Sequence, residues 1–283
     1  MTTSVGVLHP GTMGVTIGAS MRSSATVLWS SAGRSPETVE RARSAGLADA
    51  GSLAALVERC ATIVSVCPPG AALAVAQSVA DLGFAGTYVD ANAVSPATAR
   101  AVAGLFDDAV DGGIIGPPVL TAGTTRLYLS GGSSRAVAAL FDESELEVRV
   151  VDGDAGAASA VKMCFAAWTK GTAALLMAIN ALAEHDGVAD ELRSEWATSM
   201  PDLVARSEHL PAAVGPKSWR FEAEMHEIAD SFADAGLHDG FLRSAADTYR
   251  RISSLQHAEH PSLDDVIRLL ETTTTETSTP RSQ

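Results

Sequence analysis

Lysine is nearly absent. Of the 20 basic residues in this 283-residue chain, three are lysines: Lys162, Lys170 and Lys217. A genome rich in G and C favours arginine and alanine and accounts for much of that, yet it makes each lysine worth inspecting. Basic runs are missing altogether, and 34 acidic residues leave a net charge of −14. Nucleic acids and anionic membranes require clustered positive charge, so neither is expected as a partner. The three cysteines, Cys60, Cys67 and Cys164, are odd in number and widely spaced, which excludes a disulfide framework or a zinc site; no metal is expected. Long apolar runs are also lacking. The strongest, GTAALLMAINALA, is cut off by Lys170 and falls short of the roughly 18–20 residues that cross a bilayer. The start, MTTSVGVLHP, lacks the basic residues and apolar core of a signal peptide. A cytoplasmic protein is expected.

What is present is a chain in two halves. Up to residue 152, short apolar runs (5–9, 26–30, 62–67, 87–91, 109–115, 126–130 and 148–152) alternate with helix-like stretches at 12–22, 36–45, 52–60, 70–82, 96–105 and 133–142. Alternation on that scale means βαβ units in a mostly parallel sheet. From residue 153 the pattern is helical, at 155–185, 188–198, 201–208, 218–235, 240–254 and 262–271. The tail from Thr272 is polar and low in complexity, and disorder is expected there. The fold class is α/β: a doubly wound N-terminal domain over 1–152, then an all-helical domain over 153–271 opened by a long helix.

The first strand runs into His9-Pro10-Gly11-Thr12-Met13-Gly14 and then a helix of small apolar residues. That context suits a dinucleotide fingerprint: Gly11 lets a pyrophosphate approach, Gly14 lets the helix pack on the strand, and the amides around Thr12 and Met13 face the phosphates. His9 occupies the motif's first glycine position, so an ordinary tight turn remains the alternative. After the second strand comes Ser30-Ser31-Ala32-Gly33-Arg34-Ser35, with no acid before Glu37. Hydroxyls and a guanidinium hold a 2′-phosphate that a carboxylate would repel, which favours NADP(H) over NAD(H); a polar loop with a solvated Arg34 is the alternative. Two further strand ends carry Cys67-Pro68 and Asn92. Cys67 reads as a small apolar wall of the nicotinamide pocket, with no neighbouring base to make it a nucleophile. Asn92 either orients ligand or caps the next helix, as Ser95 also could.

This order of motifs resembles the β-hydroxyacid dehydrogenase superfamily, in particular its 6-phosphogluconate-dehydrogenase-like members with a distinct helical C-terminal domain. The resemblance implies a Rossmann domain, and its substrate motif falls on Asp111-Gly112-Gly113-Ile114-Ile115-Gly116-Pro117. The glycine-and-lysine signature of its interdomain helix falls on Gly153, Gly156 and Lys162, making Lys162 the implied catalytic residue. The resemblance also brings Gly113, Ile115 and Gly116 to the substrate; Lys170 and Glu224, outside its motifs, are further candidate contacts. Lys170 could equally lie on a surface or interface, and Glu224 could be solvated beside Glu222. Departures accompany the match. Phe165 and Ala166 stand where the family has asparagines, and Ile115 stands for its serine, which makes a carboxylate-bearing hydroxy acid doubtful and suggests a more apolar pocket.

Hydride transfer at a carbonyl needs a group that exchanges the hydroxyl proton. Lysine, ordinarily near pKa 10.4, can serve when burial lowers that value. The expected activity is an NADP-dependent oxidoreductase of a small hydroxy or keto compound. Imine reductase and a non-catalytic NADP(H)-binding sensor are the alternatives. The apolar 155–185 helix, buried in relatives by intertwining two C-terminal domains, implies a homodimer.

Overall fold

The computed structural model describes residues 3–271; the expected disordered tail lies outside them. Eight strands form one sheet: β1 Ser4–Leu8, β2 Thr26–Trp29, β3 Ala48–Asp49, β4 Thr62–Ser65, β5 Thr87–Asp90, β6 Ala109–Ile115, β7 Arg126–Ser130 and β8 Glu147–Val150. Their order is β3-β2-β1-β4-β5-β6-β7-β8. All neighbours are parallel except β6 and β7, which pair antiparallel. The order reverses between β1 and β4, which makes their carboxyl ends the place for a ligand crevice.

The helices over the sheet are α1 Thr12–Ser20, α2 Pro36–Ser44, α3 Leu53–Arg59, α4 Ala72–Ala80, α5 Pro96–Ala103 and α6 Ser134–Ala138. Side chains alternate across each strand, and both faces are covered. Val27, Trp29, Val64 and Val89 pack with Val15 and Ile17 of α1 and Ala42 of α2. Leu28, Ile63 and Tyr88 point the other way, into Leu56 of α3, Val79 of α4 and Val102 of α5. A parallel strand buried on both sides reads as an unbroken apolar run, which is how these segments appear in sequence.

Six more helices follow: α7 Ala157–His185, α8 Ala189–Ser199, α9 Asp202–Val214, α10 Ser218–Asp234, α11 Gly240–Arg251 and α12 Leu263–Glu271. Three departures from the sequence reading have local causes. The strand β3 was not expected, because it has two residues and both are exposed. The helix expected over 201–208 continues as α9 past Pro211, which is buried inside it. The stretch 133–142 splits into α6 and a 3-10 turn at Ala139–Phe141.

The chain forms two compact units. Among the described residues, one comprises those up to 166 together with 227–238, and the other 167–226 together with those from 239 onward. The start of α7 and the end of α10 therefore pack with the sheet. No helix among the described residues is long and apolar enough to cross a membrane.

Candidate functional site

The turn from β1 into α1 is tight. His9 turns the chain with φ 60°, and its carbonyl accepts the Gly11 amide at 2.6 Å. A Cβ on Gly14 would stand 2.6 Å from that carbonyl oxygen, so the position requires glycine. A Cβ on Gly11 would meet nothing closer than 3.9 Å, so the protein leaves space there. Gly11 is the N-cap of α1 and no side chain caps the helix. By contrast, Ser35, Ser52 and Ser95 cap α2, α3 and α5. The first-turn amides around Thr12 and Met13 thus lack a side-chain acceptor, and such amides suit a phosphate.

At the end of β2, Ser30 Oγ donates to the Gly51 carbonyl at 3.4 Å. Arg34, half-buried, lines a cavity with Ser30 and His9. Ser35 is committed as the α2 cap, accepting from Thr38 N–H. The sequence reading missed Asp49. Its Oδ1 accepts the amides of Ser31 at 3.2 Å and Gly51 at 2.7 Å, which fixes the loop. No periodicity marks it, because it comes from the two-residue strand β3.

The ends of β4 and β5 are joined by Asn92, which is 3% exposed. Its Oδ1 accepts the Cys67 amide at 2.5 Å. Its Nδ2 donates to Ser65 Oγ at 3.2 Å and also to Asp90 Oδ1. With both ends of its amide engaged, Asn92 clamps the loop that carries Cys67 and Pro68. It does not cap α5, since Ser95 does. Asp90 is pushed up to about pKa 7, first by burial and then by the nearby carboxylates of Asp111 and Glu227, against the Asn92 hydrogen bonds that lower it. Glu227 in turn accepts the Ser95 amide at 2.7 Å and Thr98 Oγ1 at 3.2 Å. Burial raises the Cys67 thiol to about pKa 11, which leaves it protonated and a poor nucleophile.

On β6, Asp111 is buried and carries four hydrogen bonds. Its Oδ2 accepts the amides of Gly156 and Ser159, each at 2.9 Å, and Ser130 Oγ at 3.2 Å. Its Oδ1 accepts Ser159 Oγ at 2.6 Å. The carboxylate bolts the start of α7 to the sheet. A Cβ on Gly113 would stand 2.7 Å from the Ala158 carbonyl and 3.0 Å from Lys162 Cβ. Glycine at 113 therefore lets α7 lie directly on β6, with half-buried Lys162 beside it. Ile115 is 4% exposed and apolar where the resemblance has serine. Gly116 has φ 129°, and a Cβ there would lie 2.4 Å from the Thr124 carbonyl, so its need for glycine is steric.

In the other unit, Lys170 and Glu224 are paired with each other. Nζ lies 2.8 Å from Oε2, with the side chains 12% and 10% exposed. The ammonium also sits 4.9 Å from the centroid of the Phe221 ring, and the Lys170 carbonyl accepts Tyr249 O–H at 2.8 Å. Neither side chain is the solvated surface group that the sequence left open. Burial at this level is tolerable because each charge has its partner.

Residues 183–252 match a family described as a domain of unknown function, DUF1932. An uncharacterized 28.5 kDa protein of Methanothermus fervidus, from the 7S RNA 5′ region, is 29% identical over 162 residues. That match covers 56% of this chain and 62% of the relative, under two thirds of its length. Among solved structures, a conserved protein of unknown function with structural similarity to 3-hydroxyacid dehydrogenases is 26% identical. It superposes with a TM-score of 0.67 over 90% of this chain and 100% of its own. The Mycobacterium tuberculosis 3-hydroxyisobutyrate dehydrogenase, with L-serine, gives 0.71 at 19% identity over 96% and 100%. A reductive aminase from Aspergillus terreus, in complex with NADPH and ethyl-5-oxohexanoate, gives 0.54 at 18% identity over 95% and 99%.

Proposed function

We propose, for a chain with the fold of the 3-hydroxyacid dehydrogenases, that it is an NADP(H)-dependent oxidoreductase of a small hydroxy or keto compound. The observation that carries this reading is the Asp111 anchor, which fixes α7 against β6 and sets Lys162 beside Gly113 in the same unit as the glycine turn. The residues present fit the cofactor. Gly11 leaves room at an uncapped helix start, Gly14 admits no side chain, and Arg34 with Ser30 and Ser31 ends β2. The NADPH bound by the reductive aminase of the same fold is in keeping with this.

NADP(H), when bound, supplies the hydride donor or acceptor. Lys162 handles the proton. In oxidation, the substrate carbon gives up hydride, its hydroxyl proton passes to the neutral Lys162 amine, and the C–O single bond becomes a carbonyl. In reduction, the Lys162 ammonium returns that proton to the oxygen. Gly11 and the amides of Thr12 and Met13 would take the pyrophosphate, while Cys67 and Pro68 would wall the nicotinamide side with a thiol that stays protonated.

Lys162→Met tests the role of Lys162. Turnover on a panel of hydroxy acids, keto acids and imines, followed by NADPH absorbance, should fall at least ~100-fold while NADPH still binds, since a positioned proton-transfer group contributes roughly 10²–10⁴-fold. Unchanged turnover removes Lys162 from the chemistry. Activity confined to imines selects the imine reductase reading, which the apolar Ile115 and Phe165 favour. Cofactor binding with no turnover on the whole panel selects a sensor. We further propose a homodimer built on α7. Its Trp168, Leu175 and Leu182, seven residues apart and so on one face, are 68%, 45% and 61% exposed.

A further inference from the structure

His9 stands where a glycine would be the ordinary choice. Among the described residues, it alone of the non-glycines has a positive φ, 60°. The left-handed region strains any residue with a Cβ, and glycine would enter it freely. The turn itself needs only the backbone: the His9 carbonyl accepts the Gly11 amide and packs on Gly14. Nothing in that geometry calls for an imidazole, so the strain points to work for the side chain.

The side chain lines a cavity of about 220 Å³ with Ser30, Arg34, Leu53, Val75 and Ser78 among its walls. No carboxylate is in the lining. That volume is below the roughly 300 Å³ at which whole small-molecule sites begin, so the cavity suits one end of a larger ligand. Two of these residues carry a buried nitrogen, His9 Nδ1 and Arg34 Nε, with no hydrogen-bond partner among the described residues. Buried polar groups are nearly always paired; Arg34 Nε can only donate, and the neutral imidazole donates from Nδ1 in one of its two tautomers, so the pair suits an anion. The charge balance agrees. Burial, and then the Arg34 cation, hold His9 down to about pKa 4. Arg34 is the charged group facing the ring, and Asp49, the acid of the neighbouring loop, spends its Oδ1 on the amides of Ser31 and Gly51.

We propose that His9 is a cofactor-binding residue whose imidazole, together with the Arg34 guanidinium, takes the 2′-phosphate on the adenosine half of NADP(H). The inference rests on the NADP reading above and adds the first residue of the glycine turn to the groups that set cofactor preference. A histidine in place of the motif's first glycine thus becomes a specificity device.

The test is calorimetric titration of the full chain and of His9→Gly with two fragment probes that differ only in the 2′-phosphate, adenosine 2′,5′-bisphosphate and adenosine 5′-monophosphate. Glycine suits the turn, so the variant should melt at or above the wild-type temperature. Loss of one charge-assisted hydrogen bond should weaken the 2′,5′-bisphosphate about tenfold and change adenosine 5′-monophosphate less than about twofold. If wild type prefers the 2′,5′-bisphosphate and His9→Gly keeps that preference, the role of His9 is overturned while the NADP reading stands. Equal weakening of both probes also overturns it, by making His9 a contact to the shared adenosine. If wild type binds the two probes equally, the NADP reading falls and the role of His9 falls with it.

Discussion

Asp90 concentrates an electrostatic cost in one carboxyl. It is 3% exposed, one of its oxygens has no partner, and Asp111 and Glu227 oppose its ionisation. Its native pKa of about 7 lies above the usual 3.8. Between those values the folded chain holds a proton that the unfolded chain has released, so stability contributed by this group falls as pH rises from about 4 through 7. Asp90→Asn removes the titration. Its melting temperature should change less between pH 5 and pH 8 than that of wild type, as scanning calorimetry would read; an equal slope would assign the pH dependence elsewhere. His9 works in the opposite sense. With its pKa held near 4 against 6.5, it stays neutral in the fold while the unfolded chain protonates, so its contribution is lost as pH falls from 6.5 toward 4. Replacing both residues should flatten the two ends of the stability curve separately.

At the level of elements, the joint between β6 and α7 matters most. Asp111 receives four donors in a buried setting. Asp111→Asn puts an amide donor among those donors and should destabilise the protein by about 2–4 kcal/mol, because buried donors then go unsatisfied. Urea unfolding would measure it; a shift of the midpoint amounting to less than 1 kcal/mol would mean that water replaces the lock. This joint also marks how far the sequence can be read. Seven strands were legible as apolar runs because both faces of the sheet are covered, and the helices followed from the stretches between them. The two-residue β3 and the proline within α9 were not, since neither disturbs the pattern in the expected way. In the site, the glycine turn was legible because its residues are adjacent. The Asp111 lock was not, as its partner Ser159 lies 48 residues away. The Lys170–Glu224 pair was hidden for the same reason: charges read one by one look solvated, and only the fold brings them together.

For the whole molecule, the proposed homodimer rests on the exposed row on α7. Trp168, Leu175 and Leu182 together leave more apolar surface on one helix face than scattered exposure accounts for. Sedimentation velocity at micromolar concentration should find a dimer, and Trp168→Glu with Leu175→Glu should give a folded monomer. A wild-type monomer at that concentration would refute the dimer. The sheet-bearing unit is moreover discontinuous in sequence, closed by residues 227–238. Its Ser95 amide and Thr98 hydroxyl depend on Glu227. During synthesis most of the sheet-bearing unit therefore leaves the ribosome well before its last partner does. Domains usually fold in the order in which they emerge; here the first to emerge waits for residues 167–226 of the second to be translated, with the end of α10 as the piece that completes it.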